Sequence, residues 1–291
     1  MSDKPFPLPV ARTVSDLRGR VAAWRKDGLR VGLVPTMGAL HAGHLSLVEQ
    51  ARRHADRVIA TVFVNPKQFG PSEDFSRYPR REAEDAAMLA GAGTDLLYAP
   101  PVEVMYPGDF ATTVAVGGVA EGLCGDVRPG HFSGVATVVA KLLLQALPDV
   151  ACFGEKDYQQ LLVIRRMVRD LDIPVAVRGA PTIREADGLA MSSRNAYLTP
   201  AERAIAPTLH RVLAGIAAGL EAGAAPASQL AGQGRAALRA AGFGEIDYVA
   251  VRDAETLAPV ESAARPARVL AAARLGKARL IDNVPVAARV P

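Results

Sequence analysis

Cysteine is scarce. The 291 residues contain two, Cys124 and Cys152, with no C-x-x-C pair, so neither a disulfide framework nor a zinc ribbon is indicated and both read as ordinary, partly buried thiols. Aromatic residues make up only 5% of the chain and no basic stripe is interleaved with them. The net charge is +4, with both signs mixed along the chain and no long block of either. That excludes the usual footprint of a nucleic-acid-binding module, although a mild positive excess suits an anionic small molecule. No apolar run approaches the roughly 20 residues that cross a bilayer. The first residues, MSDKPFPLPVARTVSDLRGR, lack the apolar segment of a secretion signal. The expectation is a cytoplasmic protein with neither a membrane nor a nucleic-acid partner.

What is present is enough apolar residue, 49%, to bury one large core or two ordinary ones. Short apolar runs bounded by turn residues alternate with longer stretches whose apolar residues recur at three and four positions. Strands are expected near 30–35, 58–64, 95–99, 150–154 and 174–179, and helices near 14–27, 45–56, 80–92, 132–147 and 158–171. This alternation predicts an α/β fold with a doubly wound parallel sheet. After about residue 184 the pattern changes to a helical stretch over 199–220, an Ala/Gly-rich one over 226–241, and the strand-like EIDYVAVRDA, ARVLAAARL and ARLIDNV. The domain expectation is therefore 1–184 for the sheet domain and 185–291 for a smaller α+β domain.

Open α/β sheets bind ligands beyond the carboxyl ends of their strands, and polar residues sit where those ends are expected. PTMGALHAGH, residues 35–44, leaves one strand and enters a helix expected to begin near Leu45. A helix N-terminus offers unpaired backbone N–H groups and partial positive charge, which suits a phosphate, and imidazoles can donate to phosphoryl oxygens. Gly38 and Gly43 would let backbone approach such a ligand. A metal pair formed by His41 and His44 is the rival reading, and a purely structural loop is the third; neither a Walker A loop nor G-x-G-x-x-G is present.

Three further segments carry the same ambiguity. In VNPKQFG, Asn65 and Gln68 are amides able to hold a polar substrate, or members of an Asn-Pro turn. In FGEKDYQQ, Lys156 suits a phosphate and Asp157 a ribose, an amine or a cation, while Gln160 projects one turn later; the alternative is a solvated helix cap. In MSSRN, Ser192, Ser193 and Arg194 can form a phosphate clamp, or a turn before a helix capped by Thr199 with Pro200 at its first position. A nucleotide held in a crevice between the domains would use all four.

In this order and spacing, PTMGALHAGH, FVNPKQF, YPR, RPGHFSGVATVV, FGEKDYQQL and TIREADGLAMSSRN resemble the pantothenate synthetases, the pantoate–β-alanine ligases of the HxGH nucleotidyltransferase superfamily. That superfamily also includes cytidylyltransferases and class I aminoacyl-tRNA synthetases. The likeness extends from about Val10 to about Asn283 and implies a Rossmann-like catalytic domain with a smaller C-terminal lid domain, in a cytoplasmic homodimer. It implies ATP and magnesium ion (Mg2+), and two steps: the pantoate carboxylate attacks the α-phosphorus of ATP to release pyrophosphate, and the β-alanine amine then displaces AMP. Carried over by position, Met37, Gly38, Ala39, Leu40, His41, Ala42, Gly43 and His44 form the first ATP loop, with His44 as proton donor and His41 on the phosphates. Gly154, Glu155, Lys156 and Asp157 form the second ATP segment, Ile183 touches adenine, and Met191, Ser192, Ser193 and Arg194 form a mobile phosphate loop. Gln68 and Gln160 hold pantoate together with Asn65, Gln68 also serving β-alanine. Val135, Val138 and Val139 line the gem-dimethyl pocket, and Asp85 helps hold magnesium.

Overall fold

The computed structural model describes residues 6–71 and 73–289, which divide into two compact units. The first runs up to Ala120 and then takes in Arg128–Glu155 and Gln160–Pro181; the second holds Glu121–Val127, Lys156–Gln159 and the chain from Thr182 onward. The long stretch of the second unit begins at Thr182, and two short stretches from earlier in the chain, one of them carrying Lys156, belong to it as well.

In chain order the strands are β1 (Val10–Ala11), β2 (Val31–Val34), β3 (Arg57–Thr61), β4 (Leu96–Tyr98), β5 (Val150–Gly154) and β6 (Ala176–Ala180), followed by β7 (Ile246–Asp253), β8 (Ala267–Leu275) and β9 (Ala278–Val286). The helices are α1 (Val14–Lys26), α2 (Ala42–Arg52), α3 (Glu82–Gly91), α4 (Val102–Met105), α5 (Cys124–Val127), α6 (His131–Ala146), α7 (Tyr158–Asp170), α8 (Pro200–Ile205), α9 (Thr208–Ala222) and α10 (Ala227–Ala240).

In the first unit β1 to β6 form a wholly parallel sheet in the order β1-β4-β3-β2-β5-β6. All four residues of β2 are buried, as are four of the five in β3. Strands covered on both faces read as continuous apolar runs rather than alternating ones, and for that reason they stand out in the sequence. The chain winds outward from β2 through β3 to β4 on one side, and from β5 to β6 on the other. Its direction therefore reverses at the β2/β5 pair, the place where such sheets bind ligands. The loops after Val34 and after Phe153 leave from this switch point.

The second unit contains an antiparallel sheet, β7-β8-β9, against which α9 and α10 pack. Leu209, Leu213, Ile216, Ala217 and Leu220 form the buried stripe of α9, so the alanine-rich composition encodes close-packed helices. The expected doubly wound sheet with a smaller α+β domain is what the structure has. Several details differ from expectation, among them a strand expected over 58–64 that ends at Thr61 and two short helices, α4 and α5, where no element was expected. The edge strand β1 was not anticipated. The helical stretch 199–220 is broken between α8 and α9, because Pro207 lacks the N–H that a continuing helix would bond. And α2 begins at Ala42, three residues before Leu45, with His41 as its cap. The expected cap at Thr199 is present: Thr199 Oγ1 accepts from Glu202 N–H at 3.3 Å and Glu202 returns a bond to Thr199 N–H at 2.8 Å. Among the described residues no helix is long and apolar enough to cross a membrane.

Candidate active site

The loop after β2 is tied down before it reaches α2. Thr36 is buried and donates through Oγ1 to the Thr61 carbonyl at 2.5 Å, while its own N–H donates to Thr61 Oγ1 at 3.1 Å. Gly38 and Ala39 follow with φ of 80° and 52°, the left-handed region where an L side chain is strained. What holds that conformation is Asp85 on α3, only 2% exposed, whose two carboxylate oxygens accept Ala39 N–H at 3.0 Å and Leu40 N–H at 2.8 Å. A Cβ at Gly38 would lie 2.8 Å from Asp85 Oδ2, so this glycine serves the approach of the carboxylate as well as the turn. Burial pushes the Asp85 carboxyl above its usual range, against the pull of the two N–H donors. Asp85→Asn sets an NH2 group against a backbone N–H, which should lower stability by about 1–3 kcal/mol. An unchanged melting temperature would show that the carboxylate does not hold the loop.

His41 and His44 both belong to the start of α2. His41 Nδ1 accepts Gly43 N–H at 3.2 Å, and His44 Nδ1 accepts His41 N–H at 3.3 Å, a reciprocal cap built from two imidazoles. Their rings lie 4.1 Å apart, centre to centre. Because each Nδ1 is an acceptor, a neutral ring carries its hydrogen on Nε2, so both histidines are set as Nε2–H donors at a helix N-terminus. Ala42 and Gly43 form the first turn between them.

The turn after β3 brings in the amides. Asn65 caps the short 3-10 turn Pro66–Gln68 and is 1% exposed; its Nδ2 donates to Gln68 Oε1 at 3.0 Å and to the Gly134 carbonyl at 3.1 Å. Gln68 Nε2 lies 3.1 Å from Met37 Sδ, which joins the expected acid-binding amide to the expected ATP loop. Helix α6 packs on this turn. A Cβ at Gly134 would lie 2.1 Å from the Lys67 carbonyl, so only glycine admits the approach. Val135, Val138 and Val139, further along α6, are all buried.

Arg128, His131 and Glu73, which no local pattern marks as site residues, hold Gln68 from behind. Arg128 makes a two-pronged pair with Glu73, both contacts at 2.6 Å, and its Nη2 donates to the Gln68 carbonyl at 3.3 Å. His131 Nδ1 meets the same carbonyl at 2.9 Å, and its Nε2 faces Arg128 Nη1 at 2.9 Å. A guanidinium only donates and a carbonyl only accepts, so His131 is the Nδ1–H tautomer. Burial pushes the Glu73 carboxyl up, and Arg128 outweighs it to leave the group below the usual carboxylate range. The RPGH run was visible in the sequence as a motif; its Glu73 partner was not.

In the second unit Lys156 and Asp157 face one another at 3.7 Å, and Lys156 is 19% exposed. The Lys156 carbonyl accepts Asn283 Nδ2 at 2.9 Å. A small cavity is lined by Lys156, Ala190, Ser192, Asn195 and Asp282, so two of the four segments, GEKD and MSSRN, do meet. The hairpin leading to MSSRN is closed by Met191 N–H on the Ile183 carbonyl at 3.0 Å and pinned by Arg184 on the buried Asp282 at 2.7 and 2.9 Å. Ser192 caps the 3-10 turn Ser193–Tyr197 by accepting Arg194 N–H at 3.3 Å. Asn195 Nδ2 fastens that turn to Glu185 and to the Ala190 carbonyl, both at 3.1 Å. Of the two adjacent glutamines, Gln159 is buried and satisfied by Cys124 N–H and by the Glu121 and Gly122 carbonyls, whereas Gln160, in the first unit on α7, is half-buried, as are Gly154 and Glu155 at the end of β5.

The profile of the pantoate-beta-alanine ligase family matches residues 9–285. Pantothenate synthetase of Paramagnetospirillum magneticum is 66% identical, the match covering 95% of this chain and 97% of that protein. The pantothenate synthetase of Rhodospirillum rubrum is 61% identical over 96% of this chain and 99% of its own. Among solved structures, pantothenate synthetase of Thermus thermophilus superposes with a TM-score of 0.89 at 52% identity, covering 95% of this chain and 99% of that one. The pantoate-beta-alanine ligase of Francisella tularensis, solved in complex with beta-gamma ATP and beta-alanine, gives 0.78 at 32% identity, covering 95% and 97%. A capped imidazole pair at the switch point of a doubly wound sheet, and likenesses that span nearly the whole chain, converge on one assignment: the chain belongs to the pantoate–β-alanine ligase family.

Proposed function

We propose that this chain condenses pantoate with β-alanine at the expense of ATP, releasing AMP and pyrophosphate and forming pantothenate, a precursor of coenzyme A. The observation that carries the chemistry is the reciprocal His41–His44 cap, which sets two imidazoles as donors at the N-terminus of α2, directly beyond the carboxyl end of β2. In the first step a pantoate carboxylate oxygen bonds to the α-phosphorus and the bond to pyrophosphate breaks. A carboxylate is already a nucleophile, so the residues neutralise charge and hold two anions in line rather than abstract a proton. In the second step the β-alanine nitrogen bonds to the acyl carbon, the acyl–phosphate bond breaks with AMP as leaving group, and the amine proton is lost.

His44 and His41 donate to phosphoryl oxygens that gain charge, with Met37, Gly38, Ala39, Leu40, Ala42 and Gly43 shaping the loop. Gly154, Glu155, Lys156 and Asp157 meet the nucleotide, Ile183 its adenine, and Met191, Ser192, Ser193 and Arg194 its phosphates. Gln68 and Gln160 hold the acid, with Val135, Val138 and Val139 around its methyl groups, whereas Asn65, 1% exposed and bonded within the protein through both its Nδ2 and its Oδ1, supports Gln68 rather than meeting the acid itself. A magnesium ion bound with ATP would neutralise phosphate charge. Asp85, whose two oxygens each keep a lone pair beyond the backbone N–H they accept, would help to hold that ion, with phosphate oxygens and water completing its shell. The protein acts in the cytoplasm as a homodimer; a single-chain mass at sedimentation equilibrium would remove the dimer.

The test is exchange of labelled pyrophosphate into ATP with pantoate present and no amine. Exchange that requires pantoate is expected; its absence would leave a nucleotidyltransferase acting on another acid or on a phosphate ester.

A further inference from the structure

Asn65 is a buried side-chain amide with every hydrogen-bonding capacity in use. Its Nδ2 spends both hydrogens, on Gln68 Oε1 at 3.0 Å and the Gly134 carbonyl at 3.1 Å. Its Oδ1 accepts twice, from the Tyr106 hydroxyl at 2.8 Å and from Lys67 N–H at 3.3 Å. The Gly134 carbonyl can only accept and the Lys67 N–H can only donate, so the orientation of this amide has one solution. The shortest of the four bonds comes from Tyr106, which reaches back from a position 41 residues later in the chain.

The consequence falls on Gln68. With Asn65 Nδ2 on its Oε1, the amide of Gln68 is turned so that oxygen faces inward and Nε2 faces Met37. Its backbone carbonyl is held independently by His131 and Arg128. Gln68 is therefore fixed at both ends, and what it offers a ligand is N–H, not C=O.

We propose that Tyr106 is a positioning residue for the acid substrate: through Asn65 it locks the Gln68 amide as a donor, so that this position recognises a carboxylate or hydroxyl oxygen and rejects a group that donates. The proposal rests on the reading that Gln68 meets pantoate. Without the Tyr106 hydroxyl, Asn65 Oδ1 keeps only the 3.3 Å bond and a buried acceptor is left short of a partner, which loosens both amides.

Tyr106→Phe isolates this effect, because the ring contacts remain. The Tyr106 ring packs edge-on to Phe110 at 5.1 Å and against Phe63 at 6.0 Å, and Lys67 Nζ sits 5.2 Å from its centre. In the full-length enzyme, Tyr106→Phe should raise the KM for pantoate about tenfold, the scale of one neutral hydrogen bond, and leave the KM for ATP within about twofold. Asn65→Asp, nearly identical in shape but with an acceptor where Nδ2 was, should raise the pantoate KM further. In a Gln68→Ala background, Tyr106→Phe should change the pantoate KM by less than about twofold, since residues acting through one another are not additive. If Gln68→Ala leaves the pantoate KM unchanged, the reading of Gln68 as an acid ligand fails. If Gln68→Ala raises it and Tyr106→Phe does not, or if Tyr106→Phe raises the KM of ATP equally, the positioning role is overturned and that reading stands.

Discussion

His44→Ala should form the acyl adenylate more than ~100-fold slower than the wild-type protein, the scale expected when one donor to a developing charge is lost. His44 has a second duty that has to be separated from this one. Its Nδ1 accepts His41 N–H at 3.3 Å, and loss of a cap costs about 1 kcal/mol. A 100-fold rate loss corresponds to about 2.7 kcal/mol in the barrier, so the cap alone cannot account for it. His44→Asn makes the separation experimental: an amide oxygen restores an acceptor in the first turn but has no ring nitrogen at the reach of Nε2. The melting temperature should recover in that variant and the rate should not. Single-turnover release of pyrophosphate measures the step, and a rate within tenfold of wild type for His44→Ala would strike the residue from the catalytic set.

The parts of this protein that could be read from the chain are those written in short-range pattern. The runs VGLV and VACFG became buried parallel strands because residues covered on both faces have no reason to alternate. Three of the four polar segments were conspicuous because charged, amide and imidazole groups follow apolar runs where a strand is expected to end, and the fourth, MSSRN, because it stands at the join to the second domain. The start of α2 was misplaced because histidine is not among the residues preferred as a helix cap, and Ala-Gly after it gives little helical signal. Strand β1 is two residues long, too short for any periodicity.

The residues that hold the site in shape were unreadable for a different reason. Asp85 meets Ala39 across 46 residues of chain, Tyr106 meets Asn65 across 41, and Arg128 meets Glu73 across 55. Nothing in the local pattern around any of them marks the partner, since the pairing exists only once α3, α4 and α6 have packed. Asp85 shows the limit most clearly. The family resemblance points to it as a magnesium ligand, and the fold displays it as the clamp of the loop that precedes His41, a role that spacing could not convey. The polar segments proposed to meet the ligand are thus written in the sequence, and the groups that hold them in shape are written in the topology.

Lys156→Met should likewise slow adenylate formation by more than ~100-fold, and the structure separates that loss from unfolding more cleanly than at His44. The backbone of Lys156 is placed without its ammonium: the carbonyl accepts Asn283 Nδ2 at 2.9 Å, and Asn283 Oδ1 in turn accepts Arg268 Nη1 at 2.9 Å. Methionine keeps the aliphatic stem, so packing is conserved while the charge is removed. Among the described residues the ion pair given up is the 3.7 Å contact with Asp157, whose side chain is 46% exposed, and such a pair is worth about 1 kcal/mol or less. The melting temperature should therefore stay close to wild type while the rate falls. Lys156→Arg should restore only part of that rate, because a planar fork of donors cannot take the place of a compact point charge near a triphosphate. Single-turnover rates within tenfold of wild type for Lys156→Met, with ATP saturating, would show that the ammonium acts in something other than the chemical step.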